Sequence, residues 1–162
     1  MTRIVQASEL TAEGFAPFGR VHDLAGGGSA GVQRMAGEGW TDGFTLAPLI
    51  DGRGHLGMTQ GPAAPWLARQ MERHPLTEEA LFCAGAPIVL AVAPAGEGDA
   101  PLSATVEAFI IRPGQVAVMN RGVWHDACRG LTGPTAYHWM AICGLGPDPW
   151  VGIAGGPVEV RA

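Results

Sequence analysis

Between Phe44 and Cys143 the chain is a succession of short apolar runs, each closed by Gly, Pro or a polar turn residue, and this punctuation most limits how it can fold. An amphipathic helix needs an apolar stripe sustained over about three turns. No segment offers one, and 25 Gly and 13 Pro among 162 residues interrupt any that begins. Candidate strands run over Phe44 to Ile50, Leu56 to Gln60, Trp66 to Arg73, Ala80 to Cys83 and Pro87 to Val92. After a polar loop at Ala95 to Asp99 they resume at Val106 to Ile111, Gln115 to Met119, Val123 to Cys128 and Ala136 to Cys143. The expectation is an all-β chain forming a single domain over residues 1–162.

Two runs refine this. Pro87-Ile88-Val89-Leu90-Ala91-Val92-Ala93 and Ala108-Phe109-Ile110-Ile111 are apolar at successive positions, so both faces of these strands must be covered. Closure into a barrel or a two-sheet roll achieves that. Ahead of them, Thr11 is placed to cap a short helical turn through Ala12-Glu13-Gly14-Phe15, and Phe18 to Val21 reads as a first strand. Ala25 to Gly31 is too glycine-rich for a regular element; with no Lys and no helix after it, it reads as a loop, not a phosphate cradle. The segment Gly146 to Ala162 ends in Val158-Glu159-Val160, expected as an added edge strand or a tail packing on a neighbour.

Charge and cysteine usage exclude several roles. All ten cationic residues are Arg, set against fifteen acidic ones for a net charge of −5, so there is no basic stripe for nucleic acid. Neither a signal-like h-region nor a membrane-spanning apolar stretch is present, which points to a cytoplasmic protein. Cys83, Cys128 and Cys143 are odd in number and widely spaced, matching neither a disulfide framework nor a zinc pattern. They read as reduced packing residues.

The chemistry concentrates in Glu72-Arg73-His74-Pro75-Leu76-Thr77-Glu78-Glu79. Glu72 and His74 are two apart and share one face of a strand, whereas Arg73 points to the other. Glu79 follows a turn at Pro75-Leu76 and can return to the same pocket. Further on, Gly114-x5-Asn120-x-Gly122-x2-His125 describes strand, tight turn and strand, delivering a second imidazole. Glu72, His74, Glu79 and His125 together make a mixed nitrogen and oxygen set suited to Mn, Fe, Ni, Co or Zn, and ligand type alone does not choose among them.

These two stretches resemble the paired motifs of cupins, with Glu72 in place of the first His, Asn120 in place of a Pro and Arg129 in place of a frequent Asn. The resemblance implies a cupin-type β-barrel, that is, a double-stranded β-helix or jelly roll, with one or two short helices. Glu72-Arg73-His74-Pro75-Leu76 and Arg121-x-Val123-Trp124-His125 narrow it further, because both are similar to stretches of the ureidoglycolate lyase family. Membership of that family implies cleavage of (S)-ureidoglycolate to glyoxylate and urea during allantoin degradation in purine metabolism, a divalent-metal cofactor and a homodimer. The chain departs from the family pattern at Glu79, where Gln is common, at Asp126, where a second His often follows, and over residues 29–37.

Ureidoglycolate is a carbinolamide, so its cleavage removes the hydroxyl proton as the bond to the urea nitrogen breaks. Glu79 or Glu72, whichever is not held as a ligand, is the candidate base, with His138 a further catalytic candidate. Arg121 is the candidate for the substrate carboxylate, and Tyr137 and Trp124 are candidate substrate contacts. In Thr135 to Met140, His138 takes one face of the strand and Tyr137 with Trp139 the other; the sequence leaves open which looks inward. Two other readings stay open: a metal-dependent cupin enzyme acting on another small carboxylate, and a non-catalytic small-molecule-binding cupin. For the dimer, apolar surface around Trp150-Val151-Gly152-Ile153 is the expected contact.

Overall fold

The computed structural model describes residues 2–26, 28–83, 85–147 and 149–162. Gly27 of the glycine-rich stretch, and Asp148 of the C-terminal segment, lie outside the described residues. As the apolar runs require, the architecture is all-β. It contains one four-residue helix, Ala12–Phe15, capped by Thr11, whose Oγ1 accepts from the Gly14 amide at 3.0 Å, and a 3-10 turn at Ser103–Thr105. Among the described residues, no helix is long and apolar enough to cross a membrane.

Two sheets face one another. The first orders its strands as Gly19–Asp23, Gln115–Met119, Glu79–Cys83, Thr135–Ala141 and His55–Gly61. The second runs Val151–Gly152, Gln70–Arg73, Trp124–His125, Ile88–Ala93, Glu107–Ile111 and Ser8–Glu9, with Arg129–Gly130 also pairing Ile88–Ala93. From Gln70 onward the chain repeatedly crosses between them: Gln70–Arg73 lies in the second, Glu79–Cys83 in the first, Ile88–Ala93 in the second, and Gln115–Met119, Trp124–His125 and Thr135–Ala141 alternate again. This is the crossing pattern of a jelly roll, the cupin-type arrangement.

The fully apolar strand explains why two sheets are not enough. Ile88, Leu90 and Val92 point between the sheets, where they meet Phe15, Phe18, Leu81, Phe109, Ile111 and Met119. Val89, Ala91 and Ala93 point outward and would face water unless covered. A three-stranded sheet provides the cover: Val158–Arg161 lies between Arg3–Gln6, parallel to it, and Trp66–Ala68, antiparallel to it. Val5, Ala68, Val158 and Val160 close over that outer face.

Three sequence expectations need correction. Val158–Arg161 is the central strand of its sheet and not an edge. The run from Trp66 to Arg73 is two strands in different sheets, because Ala68 and Met71, both buried, are three apart and cannot share one face of a straight strand. The run from Phe44 to Ile50 is extended only to Thr45; beyond it the chain loops, and Ile50 folds back over the outer face of the first sheet with Ala80, Val116 and Val118. Its extended portion pairs instead with Val32–Gly37 in a hairpin the polar sequence did not announce.

Candidate active site

The two sequence motifs are fastened to each other. Trp124 and His125 pair with Arg73 and Glu72 in an antiparallel ladder, so the carboxylate of Glu72 and the imidazole of His125 are direct cross-strand neighbours. The turn ahead of His125 closes through the Val123 amide donating to the Asn120 carbonyl at 3.2 Å, and the Gly122 amide donates to the His74 carbonyl at 3.0 Å. Gly122 has φ +78°, a left-handed conformation that glycine adopts without a Cβ penalty. Glu79 starts the next strand and reaches the same place from the facing sheet.

These side chains converge on a cavity of about 350 Å³. Glu79 Oε2 lies 3.1 Å from the Nε2 atoms of both His74 and His125, and His125 Nε2 lies 3.7 Å from Glu72 Oε1. The imidazole rings are 5.1 Å apart, centre to centre. Side-chain exposure grades from 5% for His125 through 10% for Glu79 and 19% for His74 to 23% for Glu72, so His125 is the floor and Glu72 the mouth.

The electrostatics follow from that burial. Desolvation works to raise the Glu79 carboxyl, but the charges and hydrogen bonds of His125 and His74 outweigh it and bring it down to about 2. Desolvation disfavours the charged form of His125, yet the facing carboxylates, Glu79 foremost, hold its pKa above the usual imidazole value. Beside it, Asp126 is raised by burial, partly offset by the Trp66 indole, which donates to Oδ2 at 2.7 Å.

The donor set fits a transition metal. Glu72, His74 and His125 each offer a ligand atom, all within 4.8 Å of one another, and two imidazoles with one carboxylate is a set that Zn, Fe, Ni or Mn accepts. Of the four expected ligands, Glu79 lies against both imidazoles but outside that group of three.

The remaining candidates divide. Tyr137 lines the cavity, as does Trp139, so their face of the strand is the inner one. His138 therefore points away; its ring stacks on Phe82 at 5.5 Å, on the outer side of the sheet, and it is not among the cavity's residues. Arg121 is not there either, since its guanidinium pairs with Asp51 at 2.9 Å. Trp124 is buried in the outer cluster under the Arg73 guanidinium, 4.4 Å from the ring centre, because the alternation that sends His125 inward sends Trp124 outward. Thr59 and Thr77 line the cavity without having been singled out by the sequence, and Asp126, noted there only as a departure from the family pattern, lines it too. Asp126 carried a signal, as a charged residue directly after the buried His125; the two threonines carried none.

Comparison with known proteins agrees with this geometry. The family model described as ureidoglycolate lyase matches residues 2–148. The ureidoglycolate lyase of Pseudomonas putida (strain W619) is 33% identical over 131 residues, covering 76% of this chain and 75% of that protein. The ureidoglycolate lyase of Pseudomonas aeruginosa (strain LESB58) is 32% identical over 131 residues, covering 76% and 74%. Among solved structures, RmlC from Streptococcus suis in complex with dTDP-D-xylose aligns at TM-score 0.42 and 15% identity, over 58% of this chain and 45% of that one, a likeness too loose to carry an argument. With the family's model matched along nearly the whole chain, and relatives a third identical over most of it, the chain belongs to the ureidoglycolate lyase family.

Proposed function

We propose that this protein cleaves ureidoglycolate to glyoxylate and urea at the His125 cavity, with a divalent metal held by Glu72, His74 and His125. The observation that carries the reading is the charge of the cavity wall. Glu72, Glu79 and Asp126 line it with two imidazoles, and among the described residues around it there is neither Arg nor Lys. An anionic substrate has no fixed cation to meet there; a divalent ion on the three donors supplies one. When bound, such an ion polarises the substrate hydroxyl and compensates its carboxylate.

In this reading Glu79 moves the proton. Its Oε2 lies 3.1 Å from each imidazole, and it is these partners that hold its proton affinity down. Held in this way the carboxyl is ionised, the form in which it can accept a proton. Glu79 takes the hydroxyl proton as the carbonyl of glyoxylate forms, and the same carboxyl returns it to the nitrogen leaving with urea. One proton is removed and one delivered, so the step balances without a second acid. Leu81, Ala141 and Ile142 form the apolar part of the wall and limit water around the departing group.

Release of glyoxylate and urea from racemic ureidoglycolate, corrected for spontaneous breakdown, tests the proposal after chelation and after re-addition of Ni or Mn. Stoichiometric release restored by metal and abolished in His125→Ala is expected. Metal retained with no rate above background would move the reading to another small carboxylate. The protein is further expected to be a homodimer of the cytoplasm. Supporting association, Trp150 is exposed, as are Met35, Trp40 and Phe44 on one face of the Val32–Thr45 hairpin, whereas Val151 and Ile153 pack into the protein's own outer cluster. A monomeric mass at micromolar concentration in sedimentation would refute this.

A further inference from the structure

The cavity has a second wall, opposite in chemistry to the metal-ligating end. Thr59 and Tyr137 are direct cross-strand partners on the inner face of the first sheet, and Trp139 is the next inward residue along the strand. The Tyr137 hydroxyl oxygen accepts from the Cys128 amide at 3.3 Å, and the Tyr137 and Thr59 hydroxyls are hydrogen-bonded to each other. Each hydroxyl accepts through its lone pairs and donates through its one hydrogen. One hydrogen is used between the two hydroxyls, which leaves the pair one hydrogen to donate, and a lone pair to accept with, toward whatever occupies the cavity that both line.

Trp139 completes the wall because of what faces it. Its cross-strand partner is Gly57, where an added Cβ would sit 2.1 Å from the Cε2 and Cζ2 atoms of the indole. The six-membered ring of the tryptophan therefore rests directly on the Gly57 backbone, and any side chain at position 57 would lift it into the cavity. A flat aromatic surface beside a fixed hydroxyl donor and a threonine oxygen suits a planar, uncharged group that carries a carbonyl and N–H bonds.

From this we infer that the Thr59, Tyr137 and Trp139 wall is the ureido-binding end of the cavity: Tyr137 donates to the ureido carbonyl, Thr59 accepts from an N–H, and the group lies on the indole that Gly57 seats. The assignment rests on the proposed ureidoglycolate reading and adds to it the direction in which the substrate lies. Its carboxylate and hydroxyl take the Glu72, His74 and His125 end, since no cation stands at the Tyr137 end to hold an anion among three carboxylates. Tyr137 and Trp139 are in this view the residues that separate ureido acids from plain hydroxy acids.

Two unreactive probes test it by calorimetry on metal-loaded protein: N-carbamoylglycine, which has the ureido and carboxylate groups, and glycolate, which has only the hydroxy acid end. Tyr137→Phe keeps the ring and removes the O–H. It should weaken N-carbamoylglycine about fivefold to tenfold, the range for one neutral hydrogen bond, and leave glycolate within about twofold. Gly57→Ala should weaken N-carbamoylglycine by a comparable factor through the displaced indole and carries the test if the Tyr137 variant fails to fold. Equal weakening of both probes, no weakening of either, or no binding of N-carbamoylglycine by the unmodified protein overturns the assignment. Turnover of ureidoglycolate with N-carbamoylglycine binding indifferent to Tyr137 would remove this wall and leave the lyase reading intact. Tyr137-dependent binding of N-carbamoylglycine without turnover would do the reverse.

Discussion

Replacing Glu79 by Gln in chelator-treated protein should reveal how strongly the cavity is held together by charge. The fall of this buried carboxyl from 4.5 to about 2 corresponds to roughly 3 kcal/mol of interaction with His125 and His74. For a chain of this size each kcal/mol moves the melting midpoint by about 2–4 °C, so Glu79→Gln should melt roughly 6–12 °C lower. The pH window follows from the two directions. The folded-state pKa of Glu79 is depressed, so its contribution is complete above 4.5 and is lost as pH falls toward 2. The folded-state pKa of His125 is raised, so its contribution is complete below 6.5 and is lost as pH rises through the folded value. Both are present together between 4.5 and 6.5. Differential scanning calorimetry at about pH 3, 5.5 and 9 should therefore show the largest gap at the middle value and a smaller one on either side. Equal midpoints at the middle pH, or a gap that widens toward alkaline pH, would refute this account of the cluster.

Three further outcomes follow from packing and polar contacts. Phe109→Ala removes the ring at the centre of an aromatic group, 5.3 Å from Phe15 and 5.7 Å from Phe18, and should cost about 3–5 kcal/mol in urea unfolding. Gly19→Ala would place a Cβ 1.9 Å from the Val118 carbonyl oxygen at the start of the first sheet, so a loss of about 1–3 kcal/mol is expected by thermal melting. Glu78→Gln breaks a bidentate pair with Arg20, at 2.6 and 3.0 Å, that also receives the Asp51 amide. The Arg20 side chain is 39% exposed, so solvent screening should limit the loss to about 1 kcal/mol. Because Arg20 holds the Glu78 carboxyl below its usual value, that difference should be present above pH 4.5 and fade as the pH is lowered.

Much of the site was legible because its information is local. A two-residue spacing places Glu72 and His74 together, a turn brings Glu79 back, and the glycine turn at Gly122 presents His125; only the joining of the two motifs depends on a distant contact, the pairing of Glu72 and Arg73 with His125 and Trp124. Which face of the Thr135–Ala141 strand looks inward was not legible, because alternation separates His138 from Tyr137 and Trp139 without saying which set is inside. Arg121 was misplaced for a related reason: its partner, Asp51, arrives from a loop whose path depends on Ile50 folding over the outer face of the first sheet. The splitting of Trp66 to Arg73 was legible in principle, since Ala68 and Met71 break the two-residue period. The strand Arg3–Gln6 was not, as only Val5 of its four residues is buried and its partner lies at the far end of the chain.

That last pairing has a consequence for how the chain acquires its structure. Arg3–Gln6 docks beside Val158–Arg161, so the outer sheet closes only after nearly the whole chain is available. Contacts of such sequence separation carry a large loop-closure cost and form slowly. Until they do, Val89, Ala91, Ala93 and Met71 face solvent on an assembled inner sheet, an apolar surface of the kind that captures other unfinished chains. The final strand thus acts as a seal fitted last. Removing residues 158–161 should leave the cavity residues in the chain yet yield a protein that aggregates during synthesis, with its outer face never closed.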